Sequence, residues 1–169
     1  TMASGESALE NLLGILGNEG IFILLGSGAP SLEHFLTQVA AKHANFIFLK
    51  GYSEALSESL YSTGDLFLMP SSFEPCGISQ MLSMRAGQPC LAHRVGGLTD
   101  TIIHNENGFT FTGNTPNEQV ENMLICFKKA LNIKLTQAKQ WQEIVKNAVN
   151  ARFLWQNVAY DYVKYLYSE

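Results

Sequence analysis

The stretch Asp65–Thr101, DLFLMPSSFEPCGISQMLSMRAGQPCLAHRVGGLTDT, decides the fold. Leu66–Met69 is a short apolar run that stops at Pro70, and Cys90–Ala92 is a second that stops at His93. Such runs, bounded by Pro, Gly or polar residues, read as buried strands. Gly77–Ala86 lies between them and reads as a helix. A strand, a crossover helix and a second strand make a unit whose strands run parallel.

The same alternation continues outward in both directions. Ile21–Leu25 and Phe46–Leu49 precede the central stretch as strands, and Phe109–Phe111 follows it. Helices are expected over Ser7–Leu16, over Ser31–Lys42 with Leu32, Phe35, Leu36 and Val39 apolar, and over Ser53–Tyr61 with Leu56 and Leu60 on one face. Thr115–Leu131 opens with a Thr cap, Pro116 at the first helical position and Glu118 at the third, a helix-start signature. Residues 134–169 lack a strand signal and read as a helical pair, Thr136–Asn150 and Trp155–Tyr167, packed through Trp141 or Trp155. The expected fold is α/β, with five parallel strands in one doubly wound sheet, helices on both faces and C-terminal helices. Residues 6–169 form one domain, and Thr1–Gly5 is set aside as a disordered end or a cloning scar. The chain opens on a helix, whereas a doubly wound domain normally opens on a central strand. That strand and its loop are expected to lie outside this chain.

Composition excludes several function classes. A 169-residue chain, 46% hydrophobic, can bury a substantial core. Net charge is −4 with 11 Lys plus Arg, which argues against nucleic acid as a partner. No apolar stretch reaches the roughly 20 residues that span a bilayer, and no secretory signal opens the chain. Cys76, Cys90 and Cys126 form an odd set without CxxC spacing, so neither a disulfide framework nor a metal site is expected, and a reducing compartment is.

In doubly wound sheets ligands bind beyond the carboxyl ends of the strands. Gly26-Ser27-Gly28-Ala29-Pro30-Ser31 follows the first strand. It either cradles a phosphate or makes a tight turn with Ser31 as the helix cap. Tyr52 stands after the second strand, just before Ser53. It either offers a face to a base or packs on the helix that follows. Glu74 sits in a loop fixed by Pro75, where its carboxylate can accept hydrogen bonds from sugar hydroxyls. The N–H groups of Gly77, Ile78 and Ser79 would face a diphosphate at a helix start. The alternative makes Glu74 a solvated acid and Cys76 a buried small residue. After the fourth strand, Gly96–Gly97 permits a backbone nest for an anion and Arg94 supplies a fixed cation. His93 is expected to be a structural histidine.

The central stretch resembles bacterial glycogen synthases and plant starch synthases. Their pattern runs approximately D-x-F-L-x-P-S-R-F-E-P-C-G-L-x-Q, then R-x-G-G-L-x-D-T, and F-E-P-C-G followed by G-G-L-x-D at this separation is specific to them. LLGSGAP, GYSEALS, NGFTF and NARFLWQNVAYDYVKYLY resemble other segments of the family more weakly, the last a closing helix with a buried Trp. The resemblance implies one half of a GT-B glycosyltransferase, built from two Rossmann-like domains facing across a cleft. It implies a retaining glucosyl transfer from ADP-glucose, or UDP-glucose, to an α-1,4-glucan. Glu74 would bind the glucosyl hydroxyls and stabilise the cationic transition state. Cys76, Gly77, Ile78 and Ser79 would line the sugar and diphosphate, with Arg94, Gly96 and Gly97 completing the anion pocket and Tyr52 on the base. Gly26, Gly28, Gln80 and Leu98 are weaker candidates. No cofactor or metal is implied, and the place is the cytoplasm, or the plastid of a plant.

Departures from the pattern bound this expectation. The Arg and Lys pair that neutralises the leaving diphosphate in the family has no equivalent here. Ser72 stands where the family has Arg, Ala29 where it has Asp, and Ile78 where it has Leu. The broader retaining glycosyltransferases, which act on lipid or protein glycans, carry a second Glu eight positions after the first. Leu82 stands there, as in the synthases. With the acceptor domain expected to be absent, the isolated chain is expected to be inactive. The reading from another class is a non-catalytic nucleotide-sugar or glucan binding module.

Overall fold

A computed structural model describes residues 2–167. In chain order the elements are α1 (Met2–Leu16), β1 (Phe22–Gly26), α2 (Pro30–Lys42), β2 (Phe46–Lys50), α3 (Glu54–Thr63), β3 (Phe67–Met69), α4 (Ser79–Arg85), β4 (Cys90–His93), α5 (Gly97–Thr101), β5 (Gly108–Phe111), α6 (Pro116–Thr136), α7 (Ala138–Asn150) and α8 (Trp155–Tyr162). A π-helical turn over Val163–Tyr167 follows α8. Each expected strand is present within one or two residues, and every strand pair is parallel. Among the described residues no helix is long and apolar enough to cross a membrane.

The expected single five-stranded sheet is not what forms. β1 pairs only with β2, and β3, β4 and β5 make a second sheet in that order. Five strands suffice for a sheet, but the bond from β1 to β3 that would join the halves is not made. The two halves are instead joined through side chains. Leu12, Leu13 and Leu16 of α1 share one core with Phe46 of β2, Leu91 of β4, Phe109 and Phe111 of β5, and the α6 residues Met123, Phe127 and Ala130. A smaller cluster under the other face joins Met84, Cys90, Ala92, Leu98, Ile102 and Ala148.

Burial follows this division. All four residues of β4 are buried, as an apolar strand flanked on both sides should be. β1 and β3 are also apolar but only half-buried, with Ile23 of β1 exposed.

Local chemistry accounts for the element ends. The Thr115 hydroxyl accepts from the Glu118 N–H at 3.3 Å, while a Glu118 carboxylate oxygen accepts from the Asn114 N–H at 2.8 Å. The first bond satisfies an N–H that the first turn of α6 leaves open, and the second ties the residue before the cap to the helix. α6 runs to Thr136, past the expected Leu131, because Asn132, Ile133 and Lys134 carry no breaker. α1 begins at Met2, within the segment set aside from the sequence reading of the fold. α7 buries Trp141, which stacks on Phe109 with centroids 6.1 Å apart. Trp155 is 74% exposed, contrary to the buried closing Trp that the resemblance implies. It begins α8, whose neighbour in the fold is the π-helical turn rather than the core.

Candidate functional site

The loops after β3 and β4 are pressed into one another. The Gly97 N–H donates to the Glu74 carbonyl at 3.2 Å. A Cβ on Gly96 would stand 1.8 Å from that carbonyl oxygen, and one on Gly97 would stand 2.4 Å from the Cys76 oxygen. Gly96 also holds φ +46°, a region that L side chains rarely adopt. Two backbones therefore meet at a distance that only hydrogen permits. Pro75 stiffens one of them, and the five-residue α5 follows directly from the other.

The contact is stitched from beneath by Gln80, the second residue of α4. Its side chain is fully buried, and its Nε2 donates to the carbonyls of Cys76 at 3.1 Å and Gly77 at 3.0 Å. The Thr101 hydroxyl lies 3.4 Å from the same nitrogen and donates to the Gly97 carbonyl at 2.9 Å. Gly77, at φ +77°, is the turn that brings its carbonyl over Gln80. Leu98 is likewise fully buried below the rim. Gln80 and Leu98 thus lie behind the loops, Gln80 bonded to their carbonyls.

His93 closes the floor. It is buried, its Nδ1–H donates to the Ser71 carbonyl at 3.0 Å, and its ring stacks on Phe111 with centroids 5.1 Å apart. A carbonyl only accepts, which places the proton on Nδ1. His93 is structural, as the sequence suggests.

What faces outward is Glu74, half-buried, with Pro75, Cys76 and Ile78 exposed beside it and Ser79 half-buried at the start of α4. Phe73 is 83% exposed. Arg94 is exposed, its backbone anchored by donation to the Phe111 carbonyl at 2.8 Å. The rim therefore presents one carboxylate, one guanidinium and a row of backbone groups on a scaffold with little freedom.

The loops of the other sheet are organised differently. The Gly28 N–H donates to Glu33 Oε1 at 3.0 Å, and Glu33 Oε2 pairs with Lys50 Nζ at 2.7 Å. The Lys50 ammonium first, and the Gly28 N–H second, hold the Glu33 carboxyl below its usual range. The Gly28 N–H is thus already given to an internal anion, and Lys50 is already neutralised. The turn after β1 is capped differently from expectation. α2 starts at Pro30, with Ala29 rather than Ser31 at the cap position, because proline fits the first helical turn without losing a bond. Ser53 does cap α3, accepting from the Leu56 N–H at 3.3 Å. Tyr52, beside it, is 86% exposed.

Of the residues singled out from sequence, Glu74, Cys76, Gly77, Ile78, Ser79, Arg94, Gly96 and Gly97 share one rim with Gln80 and Leu98 beneath. Gly26, Gly28 and Tyr52 stand at the edge of the β1–β2 sheet. The sequence reading missed Glu33 and Thr101. Thr101 was visible as the last residue of GGLTDT, a hydroxyl one helical turn from Gly97. Glu33 carried no such signal, since its partners lie five and seventeen positions away.

Comparisons with known proteins agree on the region. Residues 8–151 match the family model described as Glycosyl transferases group 1. The chain is 38% identical over 150 residues to a glycogen synthase of Natranaerobius thermophilus, covering 85% of this chain and 29% of that protein. It is 39% identical over 153 residues to a glycogen synthase of Halalkalibacterium halodurans, covering 86% and 31%. Among solved structures, the catalytic domain of starch synthase IV from Arabidopsis thaliana, bound to ADP and acarbose, matches with a TM-score of 0.79 and 30% identity over 94% of this chain and 33% of that one. Anabaena Alr3699/HepE in complex with UDP-glucose matches with a TM-score of 0.65 at 20% identity, covering 95% and 45%, a likeness of fold. The chain thus spans about a third of the length of the relatives it matches.

Proposed function

The chain belongs to the Glycosyl transferases group 1 family, and from that premise we propose that it is the nucleotide-sugar-binding part of a retaining glucosyltransferase that extends an α-1,4-glucan, with ADP-glucose as the favoured donor and UDP-glucose the alternative. The observation that carries this reading is the Glu74–Gly97 clamp. It holds the backbone that carries Glu74 against Gly96–Gly97 beyond the carboxyl ends of two parallel strands. A donor laid on this rim would place its glucosyl hydroxyls on Glu74 and its diphosphate toward Gly77–Ser79, Gly96 and Arg94, the Gly97 N–H being held by the Glu74 carbonyl. As the bond to the diphosphate breaks, positive charge grows on the sugar and negative charge on the leaving group. Glu74 faces the first and Arg94 with the backbone donors faces the second, and donors fixed beforehand need no reorganisation when the charge develops. Tyr52 would take the base.

The acceptor glucan and the pair of cations that family members bring to the diphosphate belong to the parent protein in this proposal, as does its place in the cytoplasm or a plastid. Holding acceptor against donor can account for roughly 7–11 kcal/mol of a barrier. Each missing electrostatic donor costs on the order of a hundredfold in rate. The 169-residue chain alone should therefore bind nucleotide weakly and turn over no substrate.

The experiment is a titration of the chain with ADP-glucose, UDP-glucose, ADP and maltooligosaccharide, followed by amide shifts, with an assay of labelled glucose incorporation into glycogen. Binding of ADP-glucose that moves the Gly77–Ser79 and Gly96–Gly97 signals supports the proposal. Glucan elongation by the chain alone contradicts it, as does nucleotide binding that leaves those signals unmoved. A second reading, a non-catalytic binding module, draws on Ser72 and on the pairing of Lys50 with Glu33, which leave Arg94 as the cation of these loops. It is favoured if maltooligosaccharide binds and no nucleotide does.

A further inference from the structure

The carboxamide of Gln80 is fully buried, yet its two ends differ. Nε2 lies 3.1 Å from the Cys76 carbonyl, 3.0 Å from the Gly77 carbonyl and 3.4 Å from the Thr101 hydroxyl. Oε1 is buried and has no hydrogen-bond partner among the described residues. Turning the amide over brings no relief, because Oε1 would then face two carbonyl oxygens, which only accept. A buried acceptor left unbonded costs stability. The arrangement therefore weakens the fold at Oε1, and its use lies in what Nε2 does to the loop.

In a trans peptide the N–H points opposite the C=O, and every peptide bond among the described residues is trans. The Cys76 carbonyl points at Gln80, so the Gly77 N–H of the same peptide points away from it. The Gly77 carbonyl also points at Gln80, so the Ile78 N–H points away as well. Successive N–H groups reach the same side when neighbouring residues take backbone conformations of opposite hand, an arrangement that receives anions. Gly77 holds φ +77°, while Ile78 has φ −114° and ψ −32°, in the right-handed region. A Cβ on Gly77 would stand 2.5 Å from Gln80 Oε1, so glycine serves both the hand and the close approach. Among the described residues neither N–H is given to a protein acceptor.

We propose that Gln80 is a positioning residue: by gripping the carbonyls of Cys76 and Gly77 from behind, it aims the N–H groups of Gly77 and Ile78 outward, onto the diphosphate of the donor. The identity of the anion rests on the donor reading above, whereas the aiming rests on the hydrogen bonds alone. Thr101 backs Gln80 from the other loop, since its hydroxyl donates to the Gly97 carbonyl and keeps a lone pair toward Nε2. Gln80 itself touches no ligand. It acts through the two peptides that it turns.

The test uses two variants of the 169-residue chain. Gln80→Met removes the donor and the unbonded acceptor together at similar length, and Gln80→Glu sets a second acceptor against the two carbonyls. Backbone amide order parameters are measured without ligand, and each chain is then titrated with ADP-glucose, ADP and adenosine. Gly77 and Ile78 should fall from an order parameter of about 0.85 in the native chain to below about 0.6 in both variants. ADP-glucose and ADP should bind at least about tenfold more weakly, as expected for losing hydrogen bonds to a charged group. Adenosine, which carries no phosphate, should bind both variants as it binds the native chain. As pH falls through the carboxylate range, Gln80→Glu gains an O–H donor and should recover part of the lost affinity, while Gln80→Met should not. Unchanged order parameters in both variants overturn the proposal whether or not any nucleotide binds. Equal losses of ADP and adenosine affinity also overturn it, since Gln80 would then serve general packing. If order falls as expected but the native chain binds none of the three ligands, the aiming by Gln80 stands and the donor reading fails.

Discussion

The rim around Glu74 and the seam between β1 and β3 are built from similar sequence, short apolar strands ending in Gly- and Pro-rich loops, yet they pack to different degrees. At the rim, Gly96 and Gly97 bring two backbones so close that no Cβ fits, and Gln80 and Thr101 bond the loops from beneath. At the seam, strands of the same apolar character stay half-buried beside open volume. The difference teaches where order in this fold comes from. Apolarity brings strands together, but position is fixed only where backbone groups find partners, and β1 and β3 do not pair with one another.

The largest effect that could break this contrast is at Gly96. Gly96→Ala adds a methyl onto the Glu74 carbonyl at a φ that alanine resists, and strain and overpacking together should cost roughly 5 kcal/mol. Denaturant unfolding measures it, and a loss below about 1 kcal/mol would mean that the rim is slack. A paired truncation sharpens the comparison. Leu91→Ala, in the fully buried β4, should cost about 2–5 kcal/mol, while Leu68→Ala, in half-buried β3, should cost nearer 1 kcal/mol. Equal losses would erase the distinction between rim and seam.

A smaller effect appears in alkali. Burial pushes the Cys126 thiol up to about 11, slightly offset by Lys129, and pushes that of Cys90 higher still. The unfolded chain ionises first, near pH 8.5, so stability is full below that value and falls as pH rises toward 11. Melts across this range should show the decline, and Cys126→Ala should flatten part of it. Cys76, exposed at the rim, should react with a thiol reagent at pH 8 in the folded protein while the other two wait for unfolding. The smallest effect belongs to the loops of the β1–β2 sheet. Glu33 is held below its usual range, so its contribution is present above the unfolded carboxylate value and is lost as pH falls through the lowered one. Glu33→Gln should lower Tm slightly at pH 7 and not at all at low pH. An unchanged difference at low pH would show that Lys50 and Gly28 do not act through its charge.

Much of this was readable beforehand. Strand positions were legible because apolar runs such as IFILL and CLA are bounded by Gly, Pro or polar residues, and parallel pairing followed from the helices between them. The rim was legible because FEPCG and GGLTD place proline and glycines where a loop needs them. The division of the five strands into two sheets was not, since an apolar run does not say which neighbour it pairs with. Nor was the exposure of Trp155, because an aromatic residue at helical spacing looks the same whether or not a partner covers it. Glu33 was hidden for another reason. Its bonds to Gly28 and Lys50 depend on how α2 packs on β2, a tertiary fact with no local pattern.

The two tryptophans give the seam an optical gauge. Trp141 is buried against Phe109, with the Lys134 ammonium 5.3 Å from its ring centre, and it lines the larger of two cavities along β1 and β3, while Trp155 is 74% exposed. Emission from the native chain should therefore be the sum of a blue-shifted component and a water-like one, separable with a soluble quencher that reaches only Trp155. With Trp155→Phe the remaining light comes from the wall of the larger cavity alone, and its colour reads how dry that wall is.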